Sequence, residues 1–173
     1  MGIIVYFIII MLLPLYAQMK VKSTYKKFSK VPAEKGMTGA QVARYILDQH
    51  GLTDVRVVPT QGFLADHYNP ATKTVALSED NYYNSSIAGT SVAAHEVGHA
   101  IQHAEAYSFL TLRAKLVPVA NFSSNASWIF VLIGIFASSS GFLLLGIVLL
   151  LAGVIFQVVT LPVEFDASKR AMN

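Results

Sequence analysis

The sequence predicts a mainly α-helical membrane protein. A small α+β domain, made of one long helix and a small antiparallel sheet, lies between an N-terminal transmembrane anchor and a transmembrane helical hairpin. Three observations support this. The chain has 173 residues, of which 54% are hydrophobic and only 13% charged, about half the charged share of an ordinary soluble domain. The apolar excess falls in blocks: residues 1–17 (MGIIVYFIIIMLLPLYA) carry no charge, and a second uncharged stretch covers 116–163, broken only by Ser138-Ser139-Ser140-Gly141. Each half of that second stretch is about 20 residues long, the length that crosses a hydrocarbon core. The polar remainder, 18–115, is the size of one small domain.

The first block lacks a basic leader and places Leu15 and Ala17 where small residues would flank a cleavage site, so it reads as an uncleaved anchor and not as a signal peptide. Lys20, Lys22, Lys26, Lys27 and Lys30 follow it. An excess of lysine beside a span marks the cytoplasmic side, which puts the amino terminus outside. The run hugs a span and has only Tyr25 and Phe28 as nearby aromatics, so it argues for membrane orientation and against a nucleic-acid partner. The net charge of +3 is read the same way.

Thr38-Gly39-Ala40-Gln41 has the form of a capping box opening a helix, with Val42, Tyr45 and Ile46 on one face and Gly51 at its end. Residues 55–58 and 74–77 are short β-branched runs that read as two strands. Gly62, Asp66, Asn69 and Pro70 supply turns between them, so an antiparallel pair with a long connecting loop is expected. Asp80 or Asn84 is then placed to cap a helix over 86–106. The hairpin would be formed by 116–137 and 141–161, and its short turn returns the far end to the side it left. The organisation expected is therefore an anchor (1–17), a domain (18–115), a hairpin (116–163) and a C-terminal segment (164–173).

The most specific signal is His95-Glu96-Val97-Gly98-His99, an HExxH motif. Two histidines four residues apart stand one above the other on a helix face and can meet one ion, while Glu96 lies about 100° around the helix, within reach of a water on that ion. Ala93, Ala94, Val97, Gly98, Ala100 and Ile101 surround the motif. Such a helix is buried, and buried imidazoles and carboxylates need a compensating partner, which a metal supplies. There is no cysteine, so any metal must be held by nitrogen and oxygen, and Zn2+ with three protein ligands is the expected ion. Four residues compete to be the third ligand. His103 continues the face of His95 and His99, but three successive turns span about 12 Å, too far to share an ion. His67 sits in the connecting loop. Glu164 and Asp166 follow the hairpin, which returns them towards the motif helix. Glu164 is the preferred ligand and Asp166 the runner-up.

With His95 to His103 (HEVGHAIQH), the run Leu161-Pro162-Val163-Glu164-Phe165-Asp166-Ala167-Ser168-Lys169-Arg170-Ala171 and the run Asp66-His67-Tyr68-Asn69-Pro70, the chain resembles the YugP-type neutral zinc metallopeptidases of bacteria over nearly its whole length. The order of motif, hairpin and downstream glutamate is also similar to HtpX-like and CAAX-prenyl-type membrane metalloproteases. In HtpX-like enzymes an acidic residue stands four after the ligand glutamate; here Ser168 holds that position and the aspartate falls at Asp166. The family continues into a further hydrophobic segment, which implies a truncated or unusually short member. The resemblance implies a zincin-like domain, His95 and His99 as ligands, Glu96 as base and, by topology, Glu164 as third ligand.

The expected activity is a membrane-embedded zinc metalloendopeptidase that hydrolyses peptide bonds by Glu-activated water on zinc, with Tyr68, Tyr82, Tyr83 or His67 as possible donors to the oxyanion. The expected partners are a protein or peptide substrate and the lipid bilayer, and the expected location is the cell membrane, multi-pass, with a cytoplasmic catalytic domain. The alternative is a non-catalytic, metal-stabilised scaffold or partner subunit whose hairpin packs against other spans through Gly146 and Gly153. A structural metal site has four ligands and no base, so Glu96 argues for the enzyme. Single cysteines at Ser23 and Ser139 should label from opposite faces of sealed membranes; labelling from one face would refute three spans with an external amino terminus.

Overall fold

The structure is a computed structural model that describes residues 2–172, with side chains described from Leu12 onward. Its elements are α1 (Gly2–Phe28), α2 (Gly39–Gln49), β1 (Arg56–Thr60), β2 (His67–Asn69), β3 (Thr74–Ser78), α3 (Glu79–Tyr83), α4 (Ile87–Ala104), α5 (Ser108–Phe136) and α6 (Ser140–Arg170). The protein is mainly helical. It divides into two compact units, one ending at Glu96 and the other beginning at Val97, so the division falls inside the continuous helix α4.

In the first unit α1 carries the chain without a break through the lysine-rich segment to Phe28. The expected anchor falls largely on 1–11, whose side chains lie outside the described residues. From Leu12 to Val21 the apolar side chains of α1 are exposed. Near its end Tyr25 turns inward and donates from its hydroxyl to Asn81 Oδ1 at 2.7 Å. Burial pushes the Tyr25 phenol above its ordinary pKa, with the charges of Asp66 and Asp80 adding to the effect, so it stays a donor.

The capping box of α2 forms as the sequence implies: Gln41 N donates to Thr38 Oγ1 and Thr38 N donates to Gln41 Oε1. Its buried face differs from the expected one. Ala43 and Leu47 are fully buried, while Tyr45 is exposed, and at the start of the same helix Gly39 meets the backbone of Asn81. Gly39 makes this possible, since a Cβ there would collide with the carbonyl of Asn81. Arg44 closes the far end by donating to the carbonyls of Val55 and Leu52 at 2.7 and 2.9 Å.

The sheet corrects the sequence reading. It is mixed, not antiparallel: β1 pairs with β3 in parallel, β2 pairs with β3 antiparallel, and the order is β1-β3-β2. The connection expected to be a loop contains the short strand β2, which forms a hairpin with β3. Asn69 Oδ1 makes that turn by accepting from the N–H groups of Ala71 and Thr72, with Lys73 in the left-handed region. With β2 occupying the antiparallel edge, β1 takes the other edge, and residues 61–73 provide the crossover that a parallel pair needs. Every residue of the central strand β3 is buried. Asp66 anchors the crossover by accepting from Ser78 N at 2.7 Å, Ser78 Oγ and Asn81 Nδ2. The cap of the motif helix is Ser86, whose Oγ accepts from Gly89 N at 3.0 Å; the expected caps Asp80 and Asn84 belong instead to the short α3, inside it and at its end.

In the second unit α5 and α6 form an antiparallel hairpin longer than the apolar blocks themselves, turning at Ala137, Ser138 and Ser139. Among the described residues these are the two helices long and apolar enough to cross a membrane. Small residues let them approach closely. A Cβ on Gly134 would stand 2.6 Å from Leu143 N, and one on Gly146 2.6 Å from Val131 Cγ2. Gly146 is thus committed to contact inside the hairpin and is not the outward packing site that the scaffold reading requires. The outward surface is apolar, with Phe122, Trp128 and Phe136 exposed on α5 and Leu144, Leu151 and Val158 on α6.

Asn81 is the polar centre of the first unit, 1% exposed and bonded to both Tyr25 and Asp66. Asn81→Ala removes the acceptor of the Tyr25 hydroxyl and one of the donors to Asp66, which keeps its bonds to Ser78, and should cost about 1–3 kcal/mol, read as a fall in denaturant midpoint. A change within about 0.5 kcal/mol would show that these bonds do not hold α1 to the sheet.

Candidate metal centre

The helix that carries the motif is ordered by its own composition. Ala93, Ala94, Val97, Ala100 and Ile101 are all buried, as the sequence implies, and they surround the polar residues of the motif with apolar contacts. His95 and Glu96 are partly exposed and His99 is 8% exposed. His95 and Glu96 line a cavity of about 320 Å³ together with Ser91, Val92, Leu64 and Asp66. Two of its walls therefore come from the segment after Gly62, whose φ of +112° suits a glycine.

Within the second unit Glu164 meets the motif helix. Its Oε2 lies 3.5 Å from His99 Nε2, and its Oε1 lies 4.0 Å from Arg113 Nη2. The continuous helix carries His95 one turn before His99. His95, His99 and Glu164 each present one ligand atom, and these atoms lie within 4.8 Å of one another. Two imidazole nitrogens and one carboxylate oxygen are a donor set suited to zinc. These residues could hold the ion.

The approach of α6 to α4 depends on Gly98. A Cβ at that position would stand 2.5 Å from the carbonyl oxygen of Ala167, itself fully buried. Beside this contact lies Gln102, fully buried. Its Nε2 donates to Val163 O and to Asp166 Oδ2, both at 2.8 Å, and its Oε1 lies 3.0 Å from His99 Nδ1. Asp166 also accepts from Arg170 Nε at 2.6 Å, and Arg170 Nη1 donates to Glu105 Oε2 at 2.6 Å.

The other candidates lie elsewhere. His67 is exposed on β2, with its Nδ1 2.8 Å from Ala65 O, and His103 is exposed near the end of α4. Tyr68 is half-buried, and burial, with the Asp54 charge adding, raises its pKa so that it stays protonated at neutral pH. Gln102 and Arg113 were not singled out from the sequence. Gln102 could have been found, since it stands three residues after His99 and so shares its face. Arg113 gave no comparable signal.

The comparisons with known proteins decide the family. A family model described as "Putative neutral zinc metallopeptidase" matches residues 3–173. The chain belongs to this family. Its zinc fits the donor set of His95, His99 and Glu164. Among curated proteins, the chain is 53% identical over 159 residues to "Putative membrane protease YugP" of Bacillus subtilis (strain 168), covering 92% of this chain and 71% of that protein. No solved structure matches the chain.

Gly98→Ala tests the packing that the centre depends on. The added methyl should force α4 and α6 apart, cost about 1–3 kcal/mol as overpacking does and weaken zinc uptake while overall helicity persists. Unchanged zinc content and stability would mean that the close approach is not needed.

Proposed function

We propose that the protein is a membrane-embedded zinc endopeptidase of the HExxH type that cleaves protein or peptide substrates. The observation that carries this reading is the convergence of His95, His99 and Glu164 on one helix turn, with Glu96 beside them facing the cavity. Membership of the zinc metallopeptidase family and likeness to a relative whose name includes "membrane protease" support it.

A zinc ion held there supplies Lewis acidity, drawing electron density from a carbonyl oxygen and making water easier to deprotonate. His95 and His99 offer neutral nitrogen donors, and Glu164 offers a carboxylate that lowers the net charge of the centre. Arg113 Nη2 lies 4.0 Å from Glu164 Oε1 and places a positive charge beside that carboxylate. Glu96 is outside the donor set. One of its carboxylate oxygens takes the proton from the attacking water and passes it to the leaving amine nitrogen. Among the described residues β2 is an edge strand of the sheet, next to β3, and an extended substrate segment can add to such an edge through main-chain hydrogen bonds. This suits unfolded or extended chains. The apolar outer surfaces of α5 and α6 fit lipid and, with the N-terminal anchor, support a multi-pass reading; the lysines that follow the anchor support a cytoplasmic catalytic domain.

The purified protein should bind about one zinc per chain. Glu96→Gln should keep the ion and lower cleavage of an unfolded protein substrate by about 10²–10⁴-fold, the usual worth of a positioned base; His95→Ala should lose both. Undiminished cleavage by Glu96→Gln would sink the mechanism, and zinc content unaffected by His95→Ala would sink the site. Glu164→Gln should weaken zinc binding more than Asp166→Asn does; the reverse order would exchange their roles.

A further inference from the structure

Among the contacts around the centre, the side-chain amide of Gln102 is the one whose orientation has chemical consequences. A fully buried amide must satisfy its polar atoms inside the protein, because an unpaired one costs on the order of 1–3 kcal/mol. Its nitrogen faces two acceptors, Val163 O and Asp166 Oδ2, each at 2.8 Å. Turning the amide over would set its oxygen against a carbonyl and a carboxylate, with no proton between them. The nitrogen is therefore pinned where it is, and the amide oxygen must face His99 Nδ1 at 3.0 Å. An oxygen there can only accept, so Nδ1 must carry the proton.

We propose that Gln102 is a positioning residue that fixes His99 in the Nδ1–H tautomer and leaves Nε2, the nitrogen 3.5 Å from Glu164 Oε2, as its donor atom. The clause about the donor rests on the reading of His99 as a metal ligand; the tautomer itself does not. The device extends outward in one line. Arg170 holds Asp166 at 2.6 Å, and Glu105 holds Arg170 at 2.6 Å. Asp166 therefore acts on the centre through Gln102, by aiming the amide, and does so without touching His99. A histidine ligand is usually oriented by a carboxylate, carbonyl or water accepting from its other nitrogen; here a glutamine amide has that task, with a carboxylate one bond further out.

The test needs two readouts. Long-range proton–nitrogen NMR spectra of the metal-free protein with ¹⁵N-labelled histidine, recorded at about pH 8, above the ordinary imidazole pKa, report which ring nitrogens carry protons; His99 is assigned by the signal lost in His99→Gln. Wild type should show His99 as Nδ1–H. Gln102→Leu, similar in size but without the acceptor, should lose that preference and bind zinc about 10–100-fold more weakly, measured by competition with a chromophoric chelator. Its fold is checked by circular dichroism. An Nε2–H tautomer in wild type overturns the proposal without any variant, even if Gln102→Leu fails to fold. Unchanged tautomer and zinc affinity in a folded Gln102→Leu overturn it as well. If wild type takes up no zinc, the zinc reading fails, while the tautomer measurement still decides the role of Gln102.

Discussion

The second unit depends on how closely α6 can approach α4 at one point. Gly98 offers no side chain, Ala167 offers only a methyl, and the two backbones meet where a Cβ would stand 2.5 Å from a carbonyl oxygen. Val163 and Ala167, one turn apart, are both fully buried at this contact. Helix geometry then places the intervening residues. Glu164 lies next to Val163 and reaches His99, and Asp166 lies next to Ala167 and reaches Gln102. A rotation of α6 that moved Glu164 off His99 would also break the bonds from Gln102 to Val163 and Asp166. Apolar packing sets the distance between the helices, and the amide sets their register.

A similar division of labour appears in the first unit. β3 is buried along its whole length, yet the segment that leads from β1 to the cavity is placed by polar bonds. Asp66 is held by Ser78 and Asn81, and Asn81 by Tyr25. Leu64 and Asp66 border the cavity lined by His95 and Glu96, so bonds distant from the motif position its wall. Each buried polar group in these networks has a partner, as the low dielectric of the interior requires.

Much of this was legible in the sequence because certain signals are local. The capping box at Thr38, the motif helix and the helical hairpin follow from spacing and from runs of apolar residues, and spacing and runs survive without knowledge of the fold. The sheet was harder. β2 is three residues long, too short for alternation to register, and without it the two longer runs had no reason to lie parallel. The inward face of α2 is likewise not legible from the apolar run of Val42, Tyr45 and Ile46, because close packing selects Ala43 and Leu47. Gln102 was overlooked for a different reason. A glutamine in a helix has ordinary propensity and no motif of its own; spacing puts it on the face of His99, but what fixes its amide is Val163 and Asp166, some sixty residues later in the chain.

That separation has a consequence for how the centre forms. His95 and His99 come together as soon as α4 is helical, but Glu164 reaches them only after both helices of the hairpin have folded and packed. Closing so long a loop is costly in entropy, and the cost is met by the small-residue contacts at Gly134 and Gly146 together with the Gly98–Ala167 approach. A metal that needs all three donors binds the folded chain and not the unfolded one, so its binding free energy adds to the stability of the hairpin packing. Loosening the hairpin and removing the ion are therefore coupled perturbations of one equilibrium, even where the substituted residue touches no ligand.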